Sequence, residues 1–143
     1  MTESIGRARD IEVGARLDIL DLYARQSHAV DSGNGDAWAD TYTQDGVFQS
    51  PTYQLTARGH AELSAFARTS NDAALARGEQ FRHLITGIAL TPAGPDRIDA
   101  MAYLTILATT KEGSRVDRVL VLHDVLRRVG DEWLFASREV FRD

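Results

Sequence analysis

The first periodic segment of the chain covers residues 11–31 and predicts a long helix. Its apolar positions follow one another at intervals of four, three, four and three residues, the spacing of one helical face; they are Val13, Leu17, Leu20, Ala24 and Ser27. The next position on this line is Asp31, so a carboxylate stands where the pattern asks for an apolar side chain. Because an unpaired buried carboxylate is costly, we expect Asp31 to be hydrogen-bonded or ion-paired.

Short elements are predicted to follow this helix. Residues 32–35 are typical of a helix stop and turn, after which Asp36 can cap a short helix. Residues 43–46 predict a second turn. A short strand over 47–50 and an extended piece over 53–56 come next.

The second half of the chain predicts a helix and then a sheet. A long helix begins at Gly59, with an interruption allowed near residues 70–72. From Phe81 the hydrophobic period changes to two, which predicts four strands over 81–90, 98–109, 115–128 and 133–141. Their short connections favour an antiparallel meander. Helices followed by a long sheet indicate an α+β fold, and the length predicts a single domain over 1–143.

Two of the predicted strands are apolar on both faces. The positions concerned are Met101, Ala102, Tyr103, Leu104, Ile106 and Leu107 on one strand, and Val119, Leu120, Val121, Leu122 and Val125 on the other. Helices can cover only one face of the sheet, and soluble monomers avoid a large uncovered apolar face. We therefore predict a homo-oligomer, a dimer or trimer, joined through the sheet. A strongly curled sheet that covers itself is the alternative.

His83 is the natural partner for Asp31. It shares one face of the first long strand with Phe81 and Ile85, so it stands between two large hydrophobic residues. A carboxylate that holds an imidazole fixes its tautomer and leaves the other ring nitrogen free to take a proton. The spacing therefore allows an Asp31–His83 general base, although a purely structural pair, or no contact, would leave the same pattern.

Composition and charge exclude several classes of function. Sixteen basic and twenty-one acidic residues give a net charge of −5, with one lysine and scattered arginines, so a nucleic-acid partner is not expected. The absence of cysteine excludes disulfides, thiolate metal sites and thiol nucleophiles. No metal-ligand spacing of histidines and no glycine-rich phosphate motif is present, so we expect neither metal nor cofactor. No apolar run is long enough to span a membrane, and the polar stretch over 1–10 is unlike a signal peptide, which favours a cytoplasmic protein.

Several segments together resemble a SnoaL-like domain of the nuclear-transport-factor-2-like superfamily. They are Leu22-Tyr23-Ala24-Arg25, Val30-Asp31-Ser32-Gly33, Asp36-Ala37-Trp38, Asp45-Gly46-Val47-Phe48, Gly59-His60 with Leu63, Arg82-His83-Leu84-Ile85, and Trp133-Leu134-Phe135 with Arg138. The resemblance implies a cone, a cystatin-like α+β barrel, in which a curved antiparallel sheet wraps on N-terminal helices and a pocket lies at the open end. Asp31 and His83 match a pattern like that of scytalone dehydratase, bile-acid dehydratase and lindane dehydrochlorinase, in which an aspartate orients a histidine base.

The resemblance implies a small cofactor-independent lyase of the dehydratase type, acting on a small hydrophobic ring molecule. A polyketide or terpenoid cyclase or isomerase on the same dyad is one alternative, and a non-catalytic ligand-binding or assembly subunit is another. Expected substrate-binding residues are Gln26, Ser27, Tyr42, Phe48, Ser50, Tyr53, Leu104, Ile106, Leu120 and Leu122. Gln26 stands where many relatives have a tyrosine. His123 is placed either at the oligomer face or against Asp124.

Overall fold

The computed structural model describes residues 5–143; residues 1–4, the start of the polar stretch used to exclude a signal peptide, lie outside the described residues. After a 3₁₀ turn at Ala8–Asp10, the elements are α1 (Val13–Asp31), α2 (Gly35–Ala39), β1 (Tyr42–Ser50), β2 (Leu55–Arg58), α3 (Gly59–Ala76), β3 (Gln80–Pro92), β4 (Arg97–Thr110), β5 (Gly113–Val129) and β6 (Glu132–Arg142). None of the helices in this part of the chain is both long and apolar enough to cross a membrane.

The six strands form one sheet in the order β2-β1-β6-β5-β4-β3. Neighbouring strands are antiparallel except for β1 and β6, which run parallel. The predicted meander is therefore observed as β3 to β6, and the α+β prediction is confirmed. Each of its strands extends slightly beyond the predicted range, because inter-strand pairing continues up to the tight connections.

The buried face of α1 differs from the predicted one. Val13 and Leu17 are 74% and 61% exposed, so the predicted apolar line faces solvent. The face turned to the sheet is instead made of Ile19, Leu22, Tyr23, Gln26 and Ala29. The helix carries two apolar lines at helical spacing, and the one that contains a polar Gln26 is the one that packs. Asp31 is the last residue of α1 and does not continue the buried line.

Three local predictions are also corrected. Helix α3 passes through residues 70–72 without interruption. The side chain of Asn34 caps α2, whereas Asp36 contacts side chains of α3. Residues 43–46 lie within β1, where the pairing of β1 with β6 shifts register. The residues that predicted a turn therefore form an irregular part of a strand.

The helices cover only the inner face of the sheet. One buried cluster lies around Ile19, Leu22 and Phe135, and a second lies around Leu104 and Leu122. On the outer face, Tyr103 and Val119 remain exposed. A single chain therefore leaves an apolar outer face, and its burial in a homo-oligomer stays a prediction.

Candidate active site

A cavity of about 190 Å³ lies between the inner face of the sheet and the helices. Its apolar lining is Val30, Trp38, Phe48, Tyr53, Leu55, Phe66, Phe81, Ile85, Leu104, Ile106, Leu120 and Val140. Its polar lining is Gln26, Ser27, Ser50, Ser70, His83, Arg118 and Arg138. A mostly apolar hollow with a few converging polar groups is the usual form of a small-molecule site.

His83 and Asp31 meet at the wall of this cavity. Oδ1 of Asp31 lies 2.7 Å from Nδ1 of His83. The backbone N–H of His83 also donates to the Asp31 carboxylate, at 3.1 Å to Oδ1 and 3.2 Å to Oδ2. The side chains of Asp31 and His83 are only 11% and 20% exposed. These contacts replace the water that the carboxylate loses on burial.

The end of α1 is fastened to the start of β3, which fixes the pair. Nε2 of Gln80 donates to the backbone oxygen of Asp31 at 3.0 Å and to that of Phe81 at 2.9 Å. Asp31 therefore reaches His83 because its helix ends beside this strand. A partner for Asp31 was predicted, but the helical line on which Asp31 was placed is exposed at Val13 and Leu17 rather than buried.

The contact with Asp31 leaves the second ring nitrogen of His83 without a partner in the described part of the chain. An ionised carboxylate only accepts hydrogen bonds, so with Asp31 ionised the proton of a neutral imidazole resides on Nδ1. Nε2 then carries a lone pair, and it has no hydrogen-bond partner among the described residues. Because His83 lines the cavity, this lone pair is available to a bound molecule.

A buried ion pair stands in another part of the cavity wall. Arg138 donates to Asp124 through Nε at 2.8 Å and through Nη2 at 3.0 Å, and the hydroxyl of Tyr23 donates to Asp124 at 2.6 Å. Burial, reinforced by the Asp124 charge, raises the pKa of Tyr23 well above its ordinary value, so the phenol stays protonated and remains a donor. Burial disfavours the charged Arg138 guanidinium, but Asp124 together with the neighbouring Tyr42 and Tyr23 more than offsets this, so the pKa of Arg138 is raised.

Nη1 of Arg138 is a hydrogen-bond donor available to a ligand. Its Nη1 makes no hydrogen bond to any residue that the structure describes, and the side chain lines the cavity. Arg138 was predicted only as one of the residues that carry the family resemblance. A usable signal was present on β5, where Asp124 interrupts the inward series of Leu120, Leu122 and Leu126 and so requires a buried cation.

Most of the predicted substrate-binding residues lie on the cavity wall. They are Gln26, Ser27, Phe48, Ser50, Tyr53, Leu104, Ile106 and Leu120. Gln26 is buried and donates through Nε2 to Thr41 at 3.0 Å, while its Oε1 accepts no hydrogen bond from any described residue. An amide oxygen without a donor is a polar group that a ligand hydroxyl could satisfy.

Two predicted substrate-binding residues do not line the cavity. The ring of Tyr42 packs between Trp38 and Phe135, at centroid distances of 5.0 and 5.8 Å, so it fills the core. Leu122 is fully buried in the second core cluster, where it pairs with Ala102 and Val140 of the neighbouring strands. His123 contacts the ring of Phe141 at 5.3 Å and does not face Asp124, whose carboxylate is held by Arg138 and Tyr23.

Helices packed on a curved, mostly antiparallel sheet enclose a largely apolar pocket, and several solved structures share this fold. An NTF2-like protein with a cystatin-like fold from Novosphingobium aromaticivorans is 23% identical, with a TM-score of 0.81 over 91% of this chain and 82% of that one. ActVI-ORFA from Streptomyces coelicolor is 29% identical, with a TM-score of 0.78 over 90% of this chain and 97% of that one.

A protein from Catenulispora acidiphila, solved in complex with S-DNPA, is 31% identical, with a TM-score of 0.78 over 92% of this chain and 96% of that one. The family model of the SnoaL-like domain matches residues 12–139. The chain therefore belongs to the SnoaL-like domain family. No curated protein matches it in sequence.

Proposed function

We propose that this SnoaL-like chain is a small cofactor-independent lyase of the dehydratase type, in which His83 removes a proton from a hydrophobic ring substrate. The observation that carries the proposal is the hydrogen bonding of the two ring nitrogens of His83. Nδ1 lies 2.7 Å from Oδ1 of Asp31, Nε2 has no hydrogen-bond partner within residues 5–143, and the His83 side chain lines a largely apolar cavity. A histidine arranged in this way can act as a general base.

The reaction needs a carbon acid with a leaving group one atom away. Nε2 of His83 takes the proton next to a ring carbonyl, and Asp31 stabilises the imidazolium that forms. Nη1 of Arg138, on another part of the same cavity wall, is a donor available to a polar group of the substrate. The C–O bond to the hydroxyl at the β carbon then breaks, the imidazolium returns its proton to that oxygen, and water leaves. Positioned proton transfer of this kind contributes roughly 10²–10⁴-fold to the rate.

A cyclase or isomerase would use the same two residues. The similarity to the Catenulispora protein, which was solved in complex with S-DNPA, supports a ligand-binding role for the cavity. The resemblance of the dyad to those of the scytalone and bile-acid dehydratases and of lindane dehydrochlorinase favours elimination. The product separates the alternatives, because elimination of water forms a C=C bond without a new ring, cyclisation forms a ring, and isomerisation leaves the molecular formula unchanged.

A non-catalytic subunit would have no need of a free base. That alternative predicts a closed pocket in which Asp31 and His83 both have all their hydrogen-bond partners within the protein. Nε2 of His83 has no such partner in the described part of the chain, and the exposed side chain of Leu55 borders the cavity. The geometry therefore favours the enzyme.

The test uses 3-hydroxy-1-tetralone, a bicyclic β-hydroxyketone whose loss of water gives 1-naphthol, followed by fluorescence. The protein should accelerate this elimination, and His83→Ala and Asp31→Asn should lose at least about 100-fold of the acceleration. His28→Ala, which removes an exposed histidine of α1, is the matched control and should match the parent protein. Circular dichroism should show that all variants fold. Full activity in His83→Ala, or no acceleration by the parent protein, would refute the proposal.

A further inference from the structure

Arg118 is a cation at the opening of the cavity that the proposed elimination does not use. It lines the cavity from β5, and its side chain is 35% exposed. Its guanidinium lies over the ring of Tyr53, 5.7 Å from the centroid. Tyr53 and the exposed Leu55 line the same cavity, so this end of the hollow faces solvent.

Most of the N–H donors of Arg118 make no hydrogen bond to the described residues. Its Nε lies 3.0 Å from Oδ2 of Asp117, yet it is buried without an aligned acceptor. Its two terminal nitrogens have no acceptor among residues 5–143. Asp117 is shared with Arg115, whose Nη1 lies 3.0 Å from its other carboxylate oxygen. An arginine with a free edge beside an apolar hollow can bind an anion of matching geometry.

Neighbouring charges leave this rim positive. Arg77 pairs with Glu79, which also pairs with Arg115, and Arg115 shares Asp117 with Arg118. Three cations and two anions give this connected group a net charge of +1. A monoanion would neutralise the group, whereas a phosphate dianion would overcompensate it.

The register of the sheet places this cation opposite the base. His83 on β3 pairs with Ile106 on β4, and Ile106 pairs with Arg118 on β5. All three line the cavity, so they form one row across its wall. Two strand spacings separate the backbones of His83 and Arg118 by about 10 Å. A ring lying over Ile106 would present its acidic C–H at one end of the row and its charged group at the other.

We propose that Arg118 binds a carboxylate of the substrate, so that the cavity takes a flat hydrophobic ring acid in one orientation. The guanidinium edge matches the two oxygens of a carboxylate, and the ring occupies the apolar row between Arg118 and His83. This inference rests on the proposed function for its assumption that the cavity holds the substrate. Its test measures binding alone and needs no turnover.

The experiment is isothermal titration calorimetry with 2-naphthoate and with 2-naphthamide, its neutral counterpart of the same shape. The parent protein should bind the acid about 10-fold more tightly than the amide. Arg118→Gln should lose this preference while its affinity for the amide changes by less than about twofold. Arg118→Lys, which keeps the positive charge but lacks the two parallel N–H donors of the guanidinium, should retain part of the preference.

Two further variants complete the experiment. Arg97→Gln, at an exposed arginine paired with Asp99, is the matched control and should behave as the parent protein does. His83→Ala should keep the preference for the acid, so that failure of the lyase proposal and failure of this one are separable. A preference that survives in Arg118→Gln would assign the carboxylate to Arg138 and overturn the inference. Equal binding of acid and amide by the parent protein, or binding of neither, would overturn it as well.

Discussion

Replacing Asp124 with Asn tests whether the buried ion pair stabilises the fold as strongly as its geometry requires. The side chains of Arg138 and Asp124 are 5% and 0% exposed, and three donated hydrogen bonds converge on the carboxylate. The amide keeps one oxygen to accept a hydrogen bond but leaves the Arg138 charge without a counter-ion away from water. Removing one partner of a buried pair costs about 3–5 kcal/mol.

Urea unfolding followed by circular dichroism measures this loss directly. In a thermal unfolding experiment on a chain of this size, the midpoint of Asp124→Asn should lie about 10 °C below that of the parent protein. Asp99→Asn removes the acid of an exposed pair with Arg97, held at 2.9 Å, and should cost no more than about 1 kcal/mol. Tyr23→Phe removes one hydrogen bond to the Asp124 carboxylate and should fall between the two. An Asp124→Asn variant as stable as Asp99→Asn would refute the reasoning.

Two other predictions concern the scaffold. Gly35→Ala should lower the free energy of unfolding by about 1–3 kcal/mol, because its Cβ would meet the backbone oxygen of Ser64; urea unfolding at the level of the parent protein would contradict this. Hydrogen bonding from Arg77, with a second bond from Arg115, lowers the pKa of Glu79 from its ordinary value of 4.5. The stability that Glu79 contributes is therefore present above that value and is lost as the pH falls through the lower folded-state pKa. Between about pH 5 and about pH 3 the parent protein should lose more stability than Glu79→Gln, and equal losses would contradict the assignment.

The sheet was predictable because its signal is local. A hydrophobic period of two persists through β3 to β6, and short polar connections bound each strand, so the meander follows from neighbouring residues. The parallel pairing of β1 with β6 was not predicted, since it joins segments about ninety positions apart in the sequence, as in the pairing of Phe48 with Arg138. No local pattern encodes a contact of that range.

The buried face of α1 shows why a helical period alone does not identify the core. Val13 and Leu17 belong to an apolar line as regular as the one that packs, and Gln26 made the true line look more polar. The packed face buries Ile19, Leu22 and Tyr23, and Thr41 accepts a hydrogen bond from the Gln26 amide that this face also buries. The contact of Asp31 with His83 was anticipated, but its cause is the position of the helix end beside β3.

Arg138 shows which part of the candidate site could not be predicted from the sequence. Its role depends on Asp124 from the next strand and on Tyr23 from α1, which become neighbours only in the folded chain. Arg118 was likewise indistinguishable from a surface arginine until the register placed it in one row with Ile106 and His83. Residue type was visible in the sequence, whereas the cavity that gives these residues a function was not.

Proton removal by His83 is tested most directly by deuterium incorporation from D₂O into 2-tetralone, a bicyclic ketone with acidic C–H groups, followed by proton NMR. The parent protein should accelerate exchange next to the carbonyl, and His83→Ala should exchange at the uncatalysed rate. Asp31→Asn, which loses the charge 2.7 Å from Nδ1, should fall by roughly 10²–10⁴-fold. Exchange by His83→Ala at the rate of the parent protein would contradict the account.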